Sequence, residues 1–310
     1  MRVAMGGRAL AADEPLRLGI GKQAILAGVC ACAGIAPLAA RWIHQDIASV
    51  GYGLVLTVAY LAFALVARRS AHLSKFAEIS FAFFVFALVQ VLNNAIPGAV
   101  GTYLLHVEPN AGNPFASTVS GTVTLQLLGA LIAIVPIVAL TKLSGADLAS
   151  IYVRKNVDAR WLLFAIATFA VCFGLTATSP LRPGSFMQRL LPTNGAITVE
   201  RLIALSPALL IMVLSNGFEE EFLFRALFLR KYTWMLGPLI ANVVQAVIFS
   251  IAHVGVGYTP MAVFFVVGVV FPLGLLAGYL MRASDSVVVP AIVHAGLDLP
   301  IYLVFLSYTS

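Results

Sequence analysis

Glu219, Glu220 and Glu221 stand side by side in a chain that has only thirteen acidic residues. Arg225 follows them, and His253, His294 and Asp298 lie downstream, all within apolar surroundings. An ionisable group in such surroundings is costly unless it pairs or does chemistry, so each of these is a functional candidate. Glu221 and Arg225 have i,i+4 spacing, share a helix face and can form a buried pair. Glu220 points about 100° away from Glu221 and stays available for other work. His294 and Asp298 repeat the i,i+4 spacing, presenting an imidazole and a carboxyl on one face. Asn242, Gln245, Phe249 and His253 form one polar-lined stripe on an otherwise apolar helix. A carboxylate, two imidazoles and a further oxygen group suit the activation of water against a carbonyl. The carboxylate serves as general base, and the imidazoles hold a metal or donate to a developing oxyanion.

The elements that must position these groups follow from composition. Of 310 residues, 61% are apolar and only 10% are charged. A soluble domain needs roughly a quarter of its residues charged. The chain therefore reads as a polytopic membrane protein, and the length of its apolar runs points to helices rather than barrel strands. Nine candidate spans fall near 23–41, 50–67, 76–96, 119–141, 161–178, 202–230, 236–254, 260–281 and 286–308. Eight spans with one re-entrant segment fit almost as well. The fold class is thus an all-α transmembrane bundle of eight or nine spans, with the active site buried among the last four. The chain divides into N-terminal spans and loops (1–199) and a core carrying the polar groups (200–310). His44, His72 and His106 fall in loops, so every histidine inside a span belongs to the candidate site.

Charge gives sidedness. With nine alternating spans, fifteen of the nineteen Lys and Arg residues fall on the N-terminal side and four on the other. That bias places the N-terminus in the cytoplasm, in the manner of a multi-pass protein of a cell membrane. The alanine-rich, short-loop style suggests a bacterial one. A turn near Thr233–Pro238 puts Glu220 about 20 Å and His253 about 23 Å from it. His294 and Asp298 lie at similar depth from the loop at Ser284–Asp285, so three helices can converge their ionisable groups inside one hydrocarbon core. An acidic run at a helix end is ordinarily solvated surface, but the apolar FLFRALFL after Glu221 implies that this helix continues in lipid.

Other readings compete. The +6 net charge is spread over short loops, without the patch that would bind nucleic acid. Cys30, Cys32 and Cys172 lie in apolar runs as small hydrophobes. Residues 97–118 and 179–199 read as surface loops, and 143–160 as an amphipathic surface helix. Asn93 and Asn94 read as the end of the third span. No GxSG, GxGD or HExxH string is present. A transporter relaying protons through buried acids and histidines, or a catalytically silent scaffold or immunity protein, are the alternatives to an enzyme.

At these residues the chain resembles the CAAX-processing and bacteriocin-processing intramembrane proteases, which include the type II CAAX prenyl endopeptidases and the Abi-type bacterial proteins. Glu220-Glu221-Phe-Leu-Phe-Arg225 looks like that family's EExxxR motif, Phe249-Ser-Ile-Ala-His253 its FxxxH, and His294-Ala-Gly-Leu-Asp298 stands where HxxxN belongs. The resemblance covers residues 200–300. It implies an intramembrane endopeptidase in which Glu220 is the general base and His253 helps activate water. His294 and Asp298 would stabilise the oxyanion, and Glu221 with Arg225 would hold the site in shape. The substrate would be a peptide or membrane-anchored protein in lipid, with prenylated CaaX tails and leader peptides as the candidates. Two mechanisms stay open: a divalent metal, zinc by ligand type, on Glu220, His253 and His294, or a metal-free glutamate-dependent reaction. Asp298 in place of Asn is a departure, because an ionised aspartate cannot donate to an oxyanion. It must be protonated, orient His294 or ligate a metal.

Overall fold

A computed structural model describes residues 16, 19–42, 46–100, 117–178, 197–254 and 260–309. Nine long apolar helices run through these residues, and none of the described residues forms a strand. They are α1 (Ile20–Ile35, extended by a 3-10 segment Ala36–Trp42), α2 (Asp46–Arg69), α3 (Ala77–Ala99), α4 (Val119–Leu143), α5 (Ala159–Thr178) and α6 (Val199–Glu221). After α6 come α7 (Leu229–Ala252), α8 and α9 (Val288–Ser307). α8 is built of Pro260–Phe265, a π-helical Val266–Val270 and Phe271–Ser284. All nine spans are long and apolar enough to cross a bilayer. The protein is a multi-pass helical membrane bundle.

The helices divide by how much protein surrounds them. α3, α7 and α9 bury 56% of their apolar windows, against 11% for α5, so the first three are central and α5 is peripheral. Leu54, Val55 and Val58 on α2 and Leu163 and Ile166 on α5 face outward, as lipid-facing side chains do. Within lipid, close packing and polar contacts hold helices together, since a lipid tail is as apolar as leucine. Small residues therefore matter at the crossings. A Cβ at Gly217 of α6 would lie 2.5 Å from the Ala291 carbonyl oxygen and 3.2 Å from the Ala295 nitrogen of α9. Those are backbone atoms that cannot swing aside. Gly217→Ala is therefore expected to push α6 off α9, cost about 1–3 kcal/mol, and lower activity further than stability. Thermal unfolding and peptide cleavage measured on the same preparation check this.

Loop contacts agree with alternating spans. Asp285, in a left-handed cap after α8 (φ 50°), pairs with Arg154 at 2.5 Å and with Arg230. Val287 N–H donates to the Tyr152 carbonyl at 3.1 Å, and Leu16 N–H donates to the Trp234 carbonyl at 3.1 Å. Segments assigned to the basic side thus meet at one end of the bundle. Burial pushes the Tyr152 hydroxyl up to about 12, and the Arg230 guanidinium lies 4.4 Å over its ring. At the opposite end Arg201 of α6 donates to the Ser307 carbonyl of α9 at 3.1 Å.

Three local expectations need correction. Residues 143–160 form no surface helix: Asp147 caps a short 3-10 turn, Leu148–Ile151, and Tyr152 (φ 58°) ends it. The helix containing Asn93 and Asn94 does not stop there but runs through Pro97 to Ala99. FLFRALFL continues the sixth span as far as Ala226, but enclosed in protein rather than surrounded by lipid. Regular α6 ends at Glu221, the chain widens into a π-helical turn over Phe222–Ala226, and every residue from Glu221 to Leu229 is buried in protein. The cause is Arg225 at its centre, which must be enclosed with its partners, while Phe224 and Phe228 pack edge-on against Phe86. The expected bend does occur within Thr233–Pro238, at Gly237 (φ 76°, ψ 165°), a conformation that favours glycine. Of the two loops read at 97–118 and 179–199, residues 101–116 and 179–196 lie outside the described residues, as does nearly all of the first 18.

Candidate active site

Three consecutive glutamates fan out because each helical residue turns by about 100°. Glu219 faces α4, where Gln126 Nε2 donates to its Oε2 at 3.0 Å. Glu220 faces α7 and α9: its Oε1 lies 3.7 Å from His253 Nε2 and its Oε2 lies 3.4 Å from His294 Nε2. Glu221 faces inward, where its Oε1 accepts from Arg225 Nη1 at 3.0 Å and from His294 Nδ1 at 2.9 Å. Asp298 Oδ2 stands 3.7 Å from His294 Nε2. The six side chains singled out from the sequence thus form one group, carried on α6, the π-helical turn, α7 and α9.

The group has a sealed half and a reachable half. Glu221 and Arg225 are 0% exposed, whereas Glu220 is 17% and His253 25% exposed. Phe249 holds the two halves together. The Arg225 guanidinium lies 3.9 Å over its ring, and His253 and His294 pack against it edge-on at 4.7 and 5.7 Å. Cation–π and edge contacts of this kind fix rotamers where no water can.

The hydrogen bonds place a hydrogen on Nδ1 of each ring. A carbonyl can only accept, so the 2.9 Å contact between His253 Nδ1 and the Phe249 carbonyl requires Nδ1–H. Glu221, paired with Arg225, accepts in the same way from His294 Nδ1–H. Both Nε2 atoms are thereby turned toward Glu220. Glu220 Oε2 is buried and accepts no hydrogen bond among the described residues. Distances of 3.4 and 3.7 Å are too long for direct bonding and are of the kind a water bridges.

Residues 202–300 match the family model described as Type II CAAX prenyl endopeptidase Rce1-like. This segment is similar to an Rce1-like domain. It runs from α6 to the middle of α9 and includes all six residues above, leaving the first five helices outside. No curated protein and no solved structure matches the chain. The matched family is of the CAAX-type intramembrane protease kind.

The candidate site is completed by residues that the sequence alone does not single out. Asn216, one turn before Glu220, donates from Nδ2 to Asp298 Oδ2 at 2.8 Å. A carboxamide absent from position 298 therefore stands beside it on α6. Gln126, from α4 outside the matched segment, links Glu219 to Tyr302, whose hydroxyl donates to Gln126 Oε1 at 2.9 Å. A signal for two of these existed: Asn216–Glu220 and Asp298–Tyr302 continue the i,i+4 ladders. Asn242 and Gln245 serve packing instead. They donate to the Leu275 and Gly274 carbonyls of α8 at 2.9 and 2.8 Å.

Nitrogen and oxygen donors of this kind suit zinc. As placed they do not fit it: among the described residues no three His, Cys, Asp or Glu side chains are grouped to hold a metal ion. The chemistry is therefore derived from the side chains themselves.

Proposed function

We propose that this protein is an intramembrane endopeptidase that hydrolyses a peptide bond near a membrane-anchored segment. A prenylated CaaX tail is the substrate that the matched family's description names. The observation that carries the reading is the reachable Glu220 carboxylate faced by two imidazole Nε2 atoms at 3.4 and 3.7 Å. A water between Glu220 and His253 donates one O–H to each, which turns an oxygen lone pair toward the substrate carbonyl. As the oxygen attacks, Glu220 takes the proton. The carbonyl π pair moves onto its oxygen, where His294, as an imidazolium with Nδ1–H on Glu221, donates from Nε2–H to the developing charge. Collapse of the tetrahedral intermediate breaks the C–N bond, and Glu220 returns the proton to the departing amine.

Glu221 and Arg225 position His294 through its Nδ1–H. Asp298, held as an acceptor by Asn216, stands 3.7 Å from the same Nε2 that faces Glu220 and supports the charge of the ring; it does not donate to the oxyanion. The end of the bundle that gathers Arg154 and Arg230 faces the cytoplasm of a bacterial cell membrane in this reading, in keeping with its excess of basic residues.

The test is cleavage of a panel of fluorogenic membrane peptides, prenylated and unprenylated, by the full chain in lipid nanodiscs, with and without chelator. Cleavage of at least one anchored peptide, unaffected by chelator, is expected. A folded protein that cleaves none of them overturns the reading. Activity lost to chelator and restored by zinc replaces the side-chain mechanism with a metal-dependent one. Proton flux in proteoliposomes that persists in Glu220→Ala supports a transporter.

A further inference from the structure

Arg154, Arg230 and Arg282 gather at the basic end of the bundle, where the segment before α5 meets the start of α7 and the end of α8. Asp285 pairs with Arg154 at 2.5 Å and with Arg230. The Arg230 guanidinium lies 4.4 Å over the Tyr152 ring. Burial raises the pKa of the Tyr152 hydroxyl, and the Arg230 and Arg282 charges oppose that rise, which places Arg282 in the same group. We propose that these three arginines form a site for the phosphate headgroup of an acidic phospholipid. Such a site is independent of the endopeptidase reading.

The cluster is rich in donors and poor in acceptors. A guanidinium offers a fork of N–H donors and accepts nothing. Arg154 spends Nε on Asp285 Oδ2, and Arg230 spends Nη2 on Asp285 Oδ1. Both oxygens of that carboxylate are engaged, and most of the guanidinium hydrogens are not met by it. Arg230 Nε is buried and donates to nothing among the described residues. Asp158, the next acid after Arg154 in the chain, accepts from the Arg160 amide at 2.9 Å. The excess of positive charge calls for an anion with several acceptor oxygens, and phosphate matches arginine forks two bonds at a time. The site is open to one, since Arg154 is 43% and Arg230 32% exposed. Stacking on Tyr152 holds the Arg230 fork in place before anything binds, so little freedom is lost on binding.

The position of the cluster selects a lipid as the source of that phosphate. α5 begins at Ala159, shortly after Arg154, and its first turns carry Leu163, Phe164 and Ile166 outward. This peripheral helix offers acyl chains a wall that starts close to the arginines. In the chain between them comes Trp161, edge-on to Phe164 at 6.0 Å, a ring type that marks the headgroup boundary. Basic groups at helix ends in such a place attract acidic headgroups. A free phosphate meets the forks but gains nothing from the wall. The cluster also borders the parts that hold the candidate site. Arg230 directly follows the enclosed stretch Glu221–Leu229, and Asp285 stands between α8 and the helix that carries His294. A headgroup bound there ties these ends together, and a ligand held only by the folded chain stabilises it.

The experiment uses the full chain and two readouts that need no cleavage. Native mass spectrometry of the detergent-solubilised protein gives Kd for phosphatidylglycerol and for phosphatidylcholine, and their ratio is compared among variants. Thermal unfolding is followed in nanodiscs of phosphatidylcholine alone, with added phosphatidylglycerol, or with inorganic phosphate in the buffer. The wild type is expected to prefer phosphatidylglycerol and to unfold at a higher temperature in its presence. Arg154→Gln and Arg282→Gln should each reduce the preference about fivefold, the weight of one cation near an acidic headgroup. Arg69→Gln removes an exposed arginine from the end of a different helix, α2, and should leave the preference unchanged. Equal Kd values for the two lipids overturn the proposal, as does a preference that survives in both cluster variants. A preference reduced equally in Arg69→Gln also overturns it, because the attraction then belongs to the whole basic surface. Inorganic phosphate that raises the unfolding temperature as far as the lipid does assigns the site to a soluble anion and overturns the lipid.

Discussion

Replacing Glu220 with glutamine is expected to lower kcat/KM about a thousandfold, within the range assigned to a general base, with the unfolding temperature unchanged. Glutamine keeps the size and shape of the side chain but cannot take a proton from water. The stability half of the expectation follows from the environment of Glu220. It is 17% exposed, its oxygens stand 3.4 Å or more from the imidazoles, and its Oε2 accepts no hydrogen bond among the described residues. Little of the fold therefore depends on its charge. Initial rates on the best peptide of the panel, beside a thermal melt of each protein, decide it. A variant with near-normal rates removes Glu220 from the chemistry and returns the site to the structural readings.

Arg225→Ala is expected to have the reverse profile, a stability loss of about 3–5 kcal/mol that takes activity with it. Arg225 is 0% exposed, and its Nη1 is 3.0 Å from the equally buried Glu221. Removing it leaves a buried carboxylate uncompensated, opens space under the Phe249 ring and unfastens His294, which shares the same Glu221 oxygen at 2.9 Å. The double variant Arg225→Met/Glu221→Leu separates these effects. With both charges gone the desolvation cost disappears, so stability should recover most of the loss. Activity should not recover, because His294 Nδ1–H has lost its acceptor. Equal unfolding temperatures for Arg225→Ala and wild type would show that the pair does not hold the fold.

The contrast between these two glutamates was legible in part before any coordinates. Helical periodicity is local, so Glu221–Arg225 and His294–Asp298 could be paired by counting residues, and Glu220 could be turned away from Glu221 by the same count. The nine spans were legible because bilayer thickness sets a length that apolar runs either reach or do not. The order EExxxR, FxxxH, HxxxD along three spans pointed to the family whose model residues 202–300 match.

The rest was decided by contacts between segments far apart in the chain. Gln126 meets Glu219 across 93 positions and Tyr302 across 176, and nothing in α4 alone marks its one carboxamide as part of a site. The π-helical turn that encloses Arg225 reads in sequence as a lipid-facing helix, because lipid and protein interior select the same apolar residues. That is the physical reason. In a soluble protein the polar face of each helix shows which side is out, but in a bilayer both faces are apolar. The rotation and depth of each helix are then set by close approaches such as Gly217 on α9 and by buried polar pairs. Only the packed structure contains these.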